Sequence, residues 1–441
     1  PPYPPHPLMK YVIFLSDGMA DLPLEELGGI TPMMRAHKPH MDRMAREGFA
    51  GMIRTIPDSV PPGSDTANMS VMGYDPVRYY TGRSPIEAVS MSIDLEPGDV
   101  AFRCNLVTLS EADAYGQRVM ADYSADEIGS DEAARIIETV NARFAVDHIR
   151  FYPGKSYRHC MVWQNGPSIL ETTPPHDILT RQIGDYLPAG DGADRLLAIM
   201  RDSVDLLSDH PVNRARTARG LRPANAVWIW GQGTRPELPR IADMFGLRGS
   251  VISAVDLVNG LGICAGLHVV EVPGITGNIH TNFAGKGQAA IEEFRRGQDY
   301  VYLHVEAPDE CGHRAETDNK VLSIEKIDQE IIGPVWAYLE KNRQLTGEDY
   351  RMLSLPDHAT PISLRTHTRQ PVPFALYDSA GTDAMDVGNT PAAGRSASLI
   401  GGTAANKAFH ADAYDEIHCD MTGLRIDEGH TLFRRFIEGF M

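Results

Sequence analysis

Positive charge is scarce in this sequence. The 441 residues carry 41 Lys and Arg against 59 Asp and Glu, a formal net charge of −18. So acidic a chain is poorly suited to nucleic acid or to anionic lipid, whose phosphates repel it. Cysteine is scarce too: Cys104, Cys160, Cys264, Cys311 and Cys419 are scattered, odd in number and without a Cys-x-x-Cys pair. That excludes a disulfide framework and points to reduced thiols in a cytosol. No apolar run approaches the ~20 residues of a membrane span. The start lacks the charged-then-apolar pattern of a signal peptide, and there is no internal repeat. The expectation is a soluble cytoplasmic protein. An anionic small substrate fits only if basic residues or metal ions reverse the sign locally.

What is present is a globular composition: 42% hydrophobic, 7% aromatic and 23% charged,. The length suggests two or three domains and ample core. PPYPPHPL (1–8) reads as a disordered tail or a remnant ahead of the fold. From Met9 strands and helices alternate, which predicts an α/β fold, a mostly parallel sheet flanked by helices. YVIFLSDG (11–18), DYVYLHVEAPD (299–309) and RMLSLPDH (351–358) read as buried strands, PHMDRMAREG (39–48) and 318–342 as helices. In the long helix Val321, Ile324, Ile327, Ile331, Val335 and Tyr338 keep the three-to-four spacing of one buried face,. Between 96 and 224 shorter strand-like and helix-like pieces predict a smaller α+β domain, inserted into a first domain of 9–95 and 225–441. Near its end Arg214, Arg216, Arg219 and Arg222 are expected to form a solvated face.

Acidic residues fall where strands end. Asp17 follows the first, Asp309 the second, and Asp357 with His358 the third. Ligands of open parallel sheets bind beyond the carboxyl ends of the strands, so these groups can converge. His313 stands four residues after Asp309 in DECGH, on one side if that turn is helical,. His367 follows His358 by nine residues, close enough to fold back. Any one of these alone is commonly a turn former, a cap or a satisfied core residue. Together, three Asp and three His make an oxygen-and-imidazole set suited to Mn²⁺, Zn²⁺ or a similar divalent ion. Six exceed the need of one tetrahedral site, which predicts two metals. Such a pair, about 4 Å apart, clamps the attacking and leaving oxygens of phosphoryl transfer.

The candidate nucleophile is Ser64 in VPPGSDTANMSVMGYDP (60–76), where prolines and a glycine force a turn before a helix. A serine there can simply be the N-cap. The same amides and helix dipole favour an anion, so the serine could accept a phosphoryl group once a metal activates it.

The ordered set SDGMAD (16–21), PPGSDTANMSVMGYDP (61–76), YTGRSPIEA (80–88), EAPDECGH (306–313) and PDHATP with RTHTRQPVPF (356–374) carries a resemblance. It resembles cofactor-independent (2,3-bisphosphoglycerate-independent) phosphoglycerate mutase of the archaeal type, of the alkaline phosphatase superfamily. The resemblance implies an alkaline-phosphatase-like catalytic domain and a glycolytic isomerase. That isomerase would interconvert 3-phosphoglycerate and 2-phosphoglycerate through a phosphoserine, without bisphosphoglycerate. It implies two divalent ions per chain, Mn²⁺ first, with Mg²⁺, Zn²⁺ or Co²⁺ as alternatives. Asp17, Ser64, Asp357 and His358 would surround one, and Asp309, His313 and His367 the other. Ser64 would be phosphorylated during turnover. The insert would hold the sugar acid, close over the metals and keep water from the phosphoserine.

Family position also suggests substrate-facing groups: Arg103 and Asn105 in FRCNLVT, Asp122 in MADYS, and Arg158 and His159 in SYRHC. Arg83 and Lys286 are weaker candidates. Arginine is apt because its fork grips a carboxylate at two points. No nucleic acid or membrane partner is implied, and oligomeric state is not readable from sequence. One departure matters. Where the mutases resemble Arg-Gly-x-Gly after the strand leading out of the insert, this chain reads WIWGQG (228–233), with Trp230 in place of a cation. EAPDECGH and WIWGQG look closer to a bacterial branch proposed to act as homoserine kinases. The acceptor therefore stays open between glycerate, homoserine and water, the last making a phosphatase. A catalytically silent relative that binds metal or a sugar phosphate is a further alternative.

Overall fold

A strand covered on both faces needs an uninterrupted apolar run, and residues 11–15 supply one, every side chain buried. In the computed structural model, which describes residues 9–146, 148–381 and 409–439, they lie in the fourth of eight strands in one sheet. PPYPPHPL (1–8) lies outside the described residues. The order is His268–Val269, Gly249–Ile252, Tyr300–Val305, Met9–Ser16, Asp349–Leu355, Val372–Asp378, Phe49–Ile53 and Arg425–Ile426. Neighbours are parallel except around Val372–Asp378, which is antiparallel to both of its own. Ser16 lies opposite Val305 and Leu15 opposite Leu355. Three central strands therefore end side by side, and the acidic residues that follow them emerge at one edge.

The amphipathic helix Thr431–Glu438 covers this sheet, setting Phe436 edge-on to Tyr11 at 5.6 Å and Phe433 edge-on to Tyr300 at 5.4 Å. The expected 318–342 helix runs as Thr317–Lys326, a wider π turn Ile327–Ile332, and Gly333–Thr346. Ile324, Ile327, Ile331 and Val335 are buried, while Val321 and Tyr338 are half-buried. The π turn presents Asp328 to the helix Pro39–Glu47. Its carboxylate accepts from Met41 N at 2.7 Å and His40 N at 3.2 Å, taking up amides that a helix start leaves unpaired,.

The described residues up to Tyr80 together with those from Leu238 form this first unit, and those of Thr81–Glu237 form a second. There Val100–Leu109 pairs antiparallel with Met120–Asp122, Arg158–Trp163 and Ala226–Thr234, and Ile149–Tyr152 extends the sheet beyond Arg158–Trp163. Helices Ser130–Phe144 and Ala193–Leu207 bury Ile136, Val140, Leu196 and Ile199 in its core. The unit is wider at both ends than the 96–224 segment expected. The helix Arg83–Ser90 belongs to it because Glu87 accepts from Arg103 Nε and Nη2, at 2.9 and 2.7 Å. Thr81 Oγ1 also donates to Thr234 O at 2.5 Å. A side chain at Gly233 would collide with the Thr81 carbonyl, so this approach of two backbones needs glycine,. All five cysteines are buried and free. Among the described residues no helix is long and apolar enough to cross a membrane.

Candidate metal centre

Asp17, the residue after Met9–Ser16, is buried, and its N–H donates to Val305 O at 2.9 Å. Gly18 follows with φ +62°, and a side chain there would collide with Asp309. The SDG wording thus serves both the left-handed turn and the approach of the second acid. Asp357 is fully buried. Its Oδ1 accepts from Gly18 N at 3.1 Å and His358 N at 2.9 Å, its Oδ2 from Asn68 Nδ2 at 2.9 Å. His358 Nε2 lies 3.3 Å from Asp357 Oδ2, 3.5 Å from Asp17 Oδ1 and 3.1 Å from Ser64 Oγ. Ser64 opens the helix Ser64–Val71 but is not its cap; Gly63 holds that position, and the hydroxyl turns to His358 instead.

Asp309 and His313 share one face of the helix Ala307–Arg314, with Oδ2 and Nε2 3.2 Å apart. His367 folds back because Thr368 N donates to Ala359 O at 3.0 Å in an isolated antiparallel bridge. Its Nε2 lies 3.4 Å from Asp309 Oδ1 and 3.0 Å from His313 Nε2. The His367 ring stacks on His358 at 4.0 Å, so the two groups adjoin.

These side chains fit metal ions. Bonds of roughly 2.0–2.1 Å to tetrahedral ligands put donor atoms about 3.3 Å apart, and the separations here run from 3.0 to 3.5 Å. The charges agree. Burial, then the neighbouring Asp357, Asp309 and Glu306, pushes the Asp17 carboxyl well above its usual range. Its buried Oδ1 accepts no hydrogen bond. Burial acts the same way on Asp309, but hydrogen bonds from His313 and His367 overcome it and hold the carboxyl well below. Asp309 in turn lifts His313 to about 9, while burial lowers His358. Repelling buried acids, an orphaned carboxylate oxygen and imidazoles beside them are the environment a divalent cation relieves. Asp17, Asp357 and His358 form one group able to hold an ion, and Asp309, His358 and His367 another.

Four residues not flagged by pattern support these side chains. His304 Nε2 lies 2.8 Å from Asp17 Oδ2, and Asn68 ties Asp357 to Ser64 O at 2.8 Å. Tyr302 Oη donates to Asn68 Oδ1 at 2.6 Å, and Thr360 Oγ1 donates to Asp309 Oδ1. The signal for two of them was polar groups at alternate positions of a buried strand, where apolar side chains are the rule. Lys286 is fully buried and donates to His304 O at 2.7 Å; burial draws it down to about 8.

In the second unit Arg83 joins Arg103 on Glu87, at 2.8 Å. The Arg103 guanidinium lies 4.8 Å over the Trp230 ring, and the Trp230 indole N–H donates to Asn105 Oδ1 at 3.0 Å. Where a cation was expected, an aromatic ring holds one beside it. Asn105 also donates to Tyr123 O at 3.2 Å. Asp122 accepts from the amides of Ser124 and Asp126 and from Arg222 at 2.9 Å. His159 is buried with Nδ1 accepting from Gly154 N at 3.0 Å, and Arg158 is exposed over Tyr157. Arg216 departs from the expected solvated face. It is buried and bonded to Glu132 at 2.6 Å and Ala125 O at 2.5 Å, because the helix Pro211–Ala218 turns it inward while Arg214, Arg219 and Arg222 stay exposed.

Known proteins share this chain's sequence and fold. A family model described as 2,3-bisphosphoglycerate-independent phosphoglycerate mutase matches residues 45–213. The protein of that name from Methanothrix thermoacetophila is 46% identical over 98% of this chain and 100% of its own. The chain belongs to this family. A probable mutase of the family from Geobacter sulfurreducens is 49% identical over 89% of this chain and 96% of its own. Solved structures with this fold include a protein from Pyrococcus horikoshii, at TM-score 0.76 and 25% identity over 99% of this chain and 98% of that one. The cofactor-independent phosphoglycerate mutase of Thermoplasma acidophilum follows at 0.63 and 22%, over 98% and 99%. Mutase relatives this similar do not favour the homoserine or phosphatase alternatives.

Proposed function

We propose that this chain is a metal-dependent phosphoglycerate mutase, an isomerase that interconverts 3-phosphoglycerate and 2-phosphoglycerate through a phosphoserine at Ser64. Family membership gives the reaction. The observation that carries the nucleophile is the Ser64 hydroxyl, 3.1 Å from His358 Nε2 at a helix start it does not cap. Two divalent ions, Mn²⁺ first, belong here: one with Asp17, Ser64, Asp357 and His358, the other with Asp309, His313 and His367. When bound, such ions ease loss of the serine proton and neutralise charge on the phosphoryl oxygens.

The chain's own residues account for the rest. Ser64 Oγ attacks phosphorus as the bond to the C3 oxygen breaks, and the serine proton ends on that oxygen, leaving glycerate. The C2 hydroxyl then attacks the phosphoserine as the Ser64 Oγ–phosphorus bond breaks, and its proton passes to Ser64 Oγ, restoring the serine and leaving 2-phosphoglycerate. Amides at the start of Ser64–Val71 favour the phosphoryl anion,. Arg83 and Arg103, both held on Glu87, are the cations we assign to the sugar-acid carboxylate,. We assign Thr81–Glu237 the role of holding that acid. The five free cysteines suit a reducing cytoplasm,.

The test is a coupled mutase assay on 3-phosphoglycerate with Mn²⁺ and no bisphosphoglycerate. Ser64→Ala should lose at least about a thousandfold in turnover, as loss of a covalent nucleophile does. Comparable activity in the variant would remove Ser64 from the mechanism. A silent wild type with metal bound would reopen the acceptor and make Trp230 the residue to change next.

A further inference from the structure

His304 is outside the ligand set, yet every polar atom of its ring is engaged. It sits opposite Leu15 in the parallel pairing of Tyr300–Val305 with Met9–Ser16, and it is fully buried. Lys286 Nζ holds its carbonyl at 2.7 Å. Ser253 Oγ accepts the Val255 N–H at 3.0 Å, so its own hydrogen is free to point at His304 Nδ1, 3.1 Å away. With Nδ1 accepting, the ring hydrogen resides on Nε2, which donates to Asp17 Oδ2 at 2.8 Å,. That bond occupies Oδ2 and leaves Oδ1 turned to His358 Nε2 at 3.5 Å. Two residues earlier on the same strand face, Tyr302 secures Asn68, which in turn secures Asp357.

We propose that His304 is the positioning residue for Asp17: a neutral imidazole, its tautomer set by Ser253, that aims one carboxylate oxygen at the metal. The pair Ser253 and His304 then sets how tightly the ion beside Asp17 and Asp357 is held. This rests on the metal reading above. Partners of this kind raise ligand basicity and remove the freedom of the carboxylate to rotate, and their loss typically costs 10–100-fold in metal affinity.

Calorimetric Mn²⁺ titration of the metal-stripped protein tests it without reference to turnover. His304→Leu fills similar space without a donor and should weaken one Mn²⁺ equilibrium about 10–100-fold while leaving the other in place. His304→Gln can set an amide N–H near the place of Nε2 and should stay within a few-fold of wild type. Ser253→Ala releases the tautomer and should fall between. Wild-type affinity in a folded His304→Leu protein overturns the assignment. If that variant does not fold, unchanged affinity in Ser253→Ala overturns it instead. A wild type that binds no Mn²⁺ refutes the metal reading itself, and this role with it.

Discussion

Replacing Lys320 by methionine would strand a charge in the core beside Thr360. Lys320 and Asp21 are wholly buried side chains, with Nζ 2.7 Å from Oδ2. The ammonium also donates to Thr360 O at 2.9 Å and Ala20 O at 3.4 Å. Methionine fills nearly the same volume, so the loss is electrostatic. Asp21 keeps N–H bonds from Leu22 at 2.8 Å and Ile362 at 3.2 Å. They soften but do not replace the lost cation, which puts the cost at about 3–5 kcal/mol. With a urea slope of about 3 kcal/mol per molar, the midpoint should fall by roughly 1–1.7 M. Adding Asp21→Asn should restore most of this, because an amide oxygen still accepts both N–H groups and carries no charge. The assay is urea unfolding followed through Trp336, the tryptophan of the first unit. A single variant as stable as wild type, or a double variant no better than the single, would refute the reasoning.

Burial lifts the Glu416 carboxyl from 4.5 to about 7. The folded state thus favours the proton, so its stabilising contribution is complete below about pH 4.5 and is lost as pH rises through about 7. Glu416→Gln keeps partners for Asp21 N and Thr31 Oγ1. It should leave stability unchanged at pH 4 and raise it at pH 8 by at most about 3 kcal/mol; a pH-independent difference in melting would contradict this. Asp309 holds His313 protonated to about 9, so metal entry must expel that proton. Mn²⁺ affinity should therefore rise with pH towards about 9, with calorimetric heats that depend on the buffer; buffer-independent heats would exclude proton release. Asp309→Ala should reduce bound metal from two ions to about one by elemental analysis, and unchanged stoichiometry would remove Asp309 from the second group.

The convergence of acids and histidines was legible because its signals are local. An apolar run followed at once by Asp gives a strand and its terminal acid, and Asp309 with His313 needs only one helical turn to share a face. The long helix was equally plain, since its buried face repeats every three to four residues. The π turn inside it was not, because what stabilises that turn includes Asp328 reaching the distant amides of residues 40 and 41.

Residue order alone sets the strand ends, the order of the candidate ligands and the family. Tertiary structure alone decided which polar groups were already spent. Family position offers Asn105 and Asp122 as substrate-facing groups, and only the structure shows what they meet: Asn105 bonds Trp230 and Tyr123, and Asp122 accepts from Arg222. Arg216 looks solvated until a helix turns it towards Glu132. His304 reads as one more strand residue until parallel pairing sets it beside Asp17, 287 residues away. Local periodicity records which face is buried. It does not record what distant chain arrives there, and a buried polar group's role depends on the partner that meets its hydrogen-bonding demand.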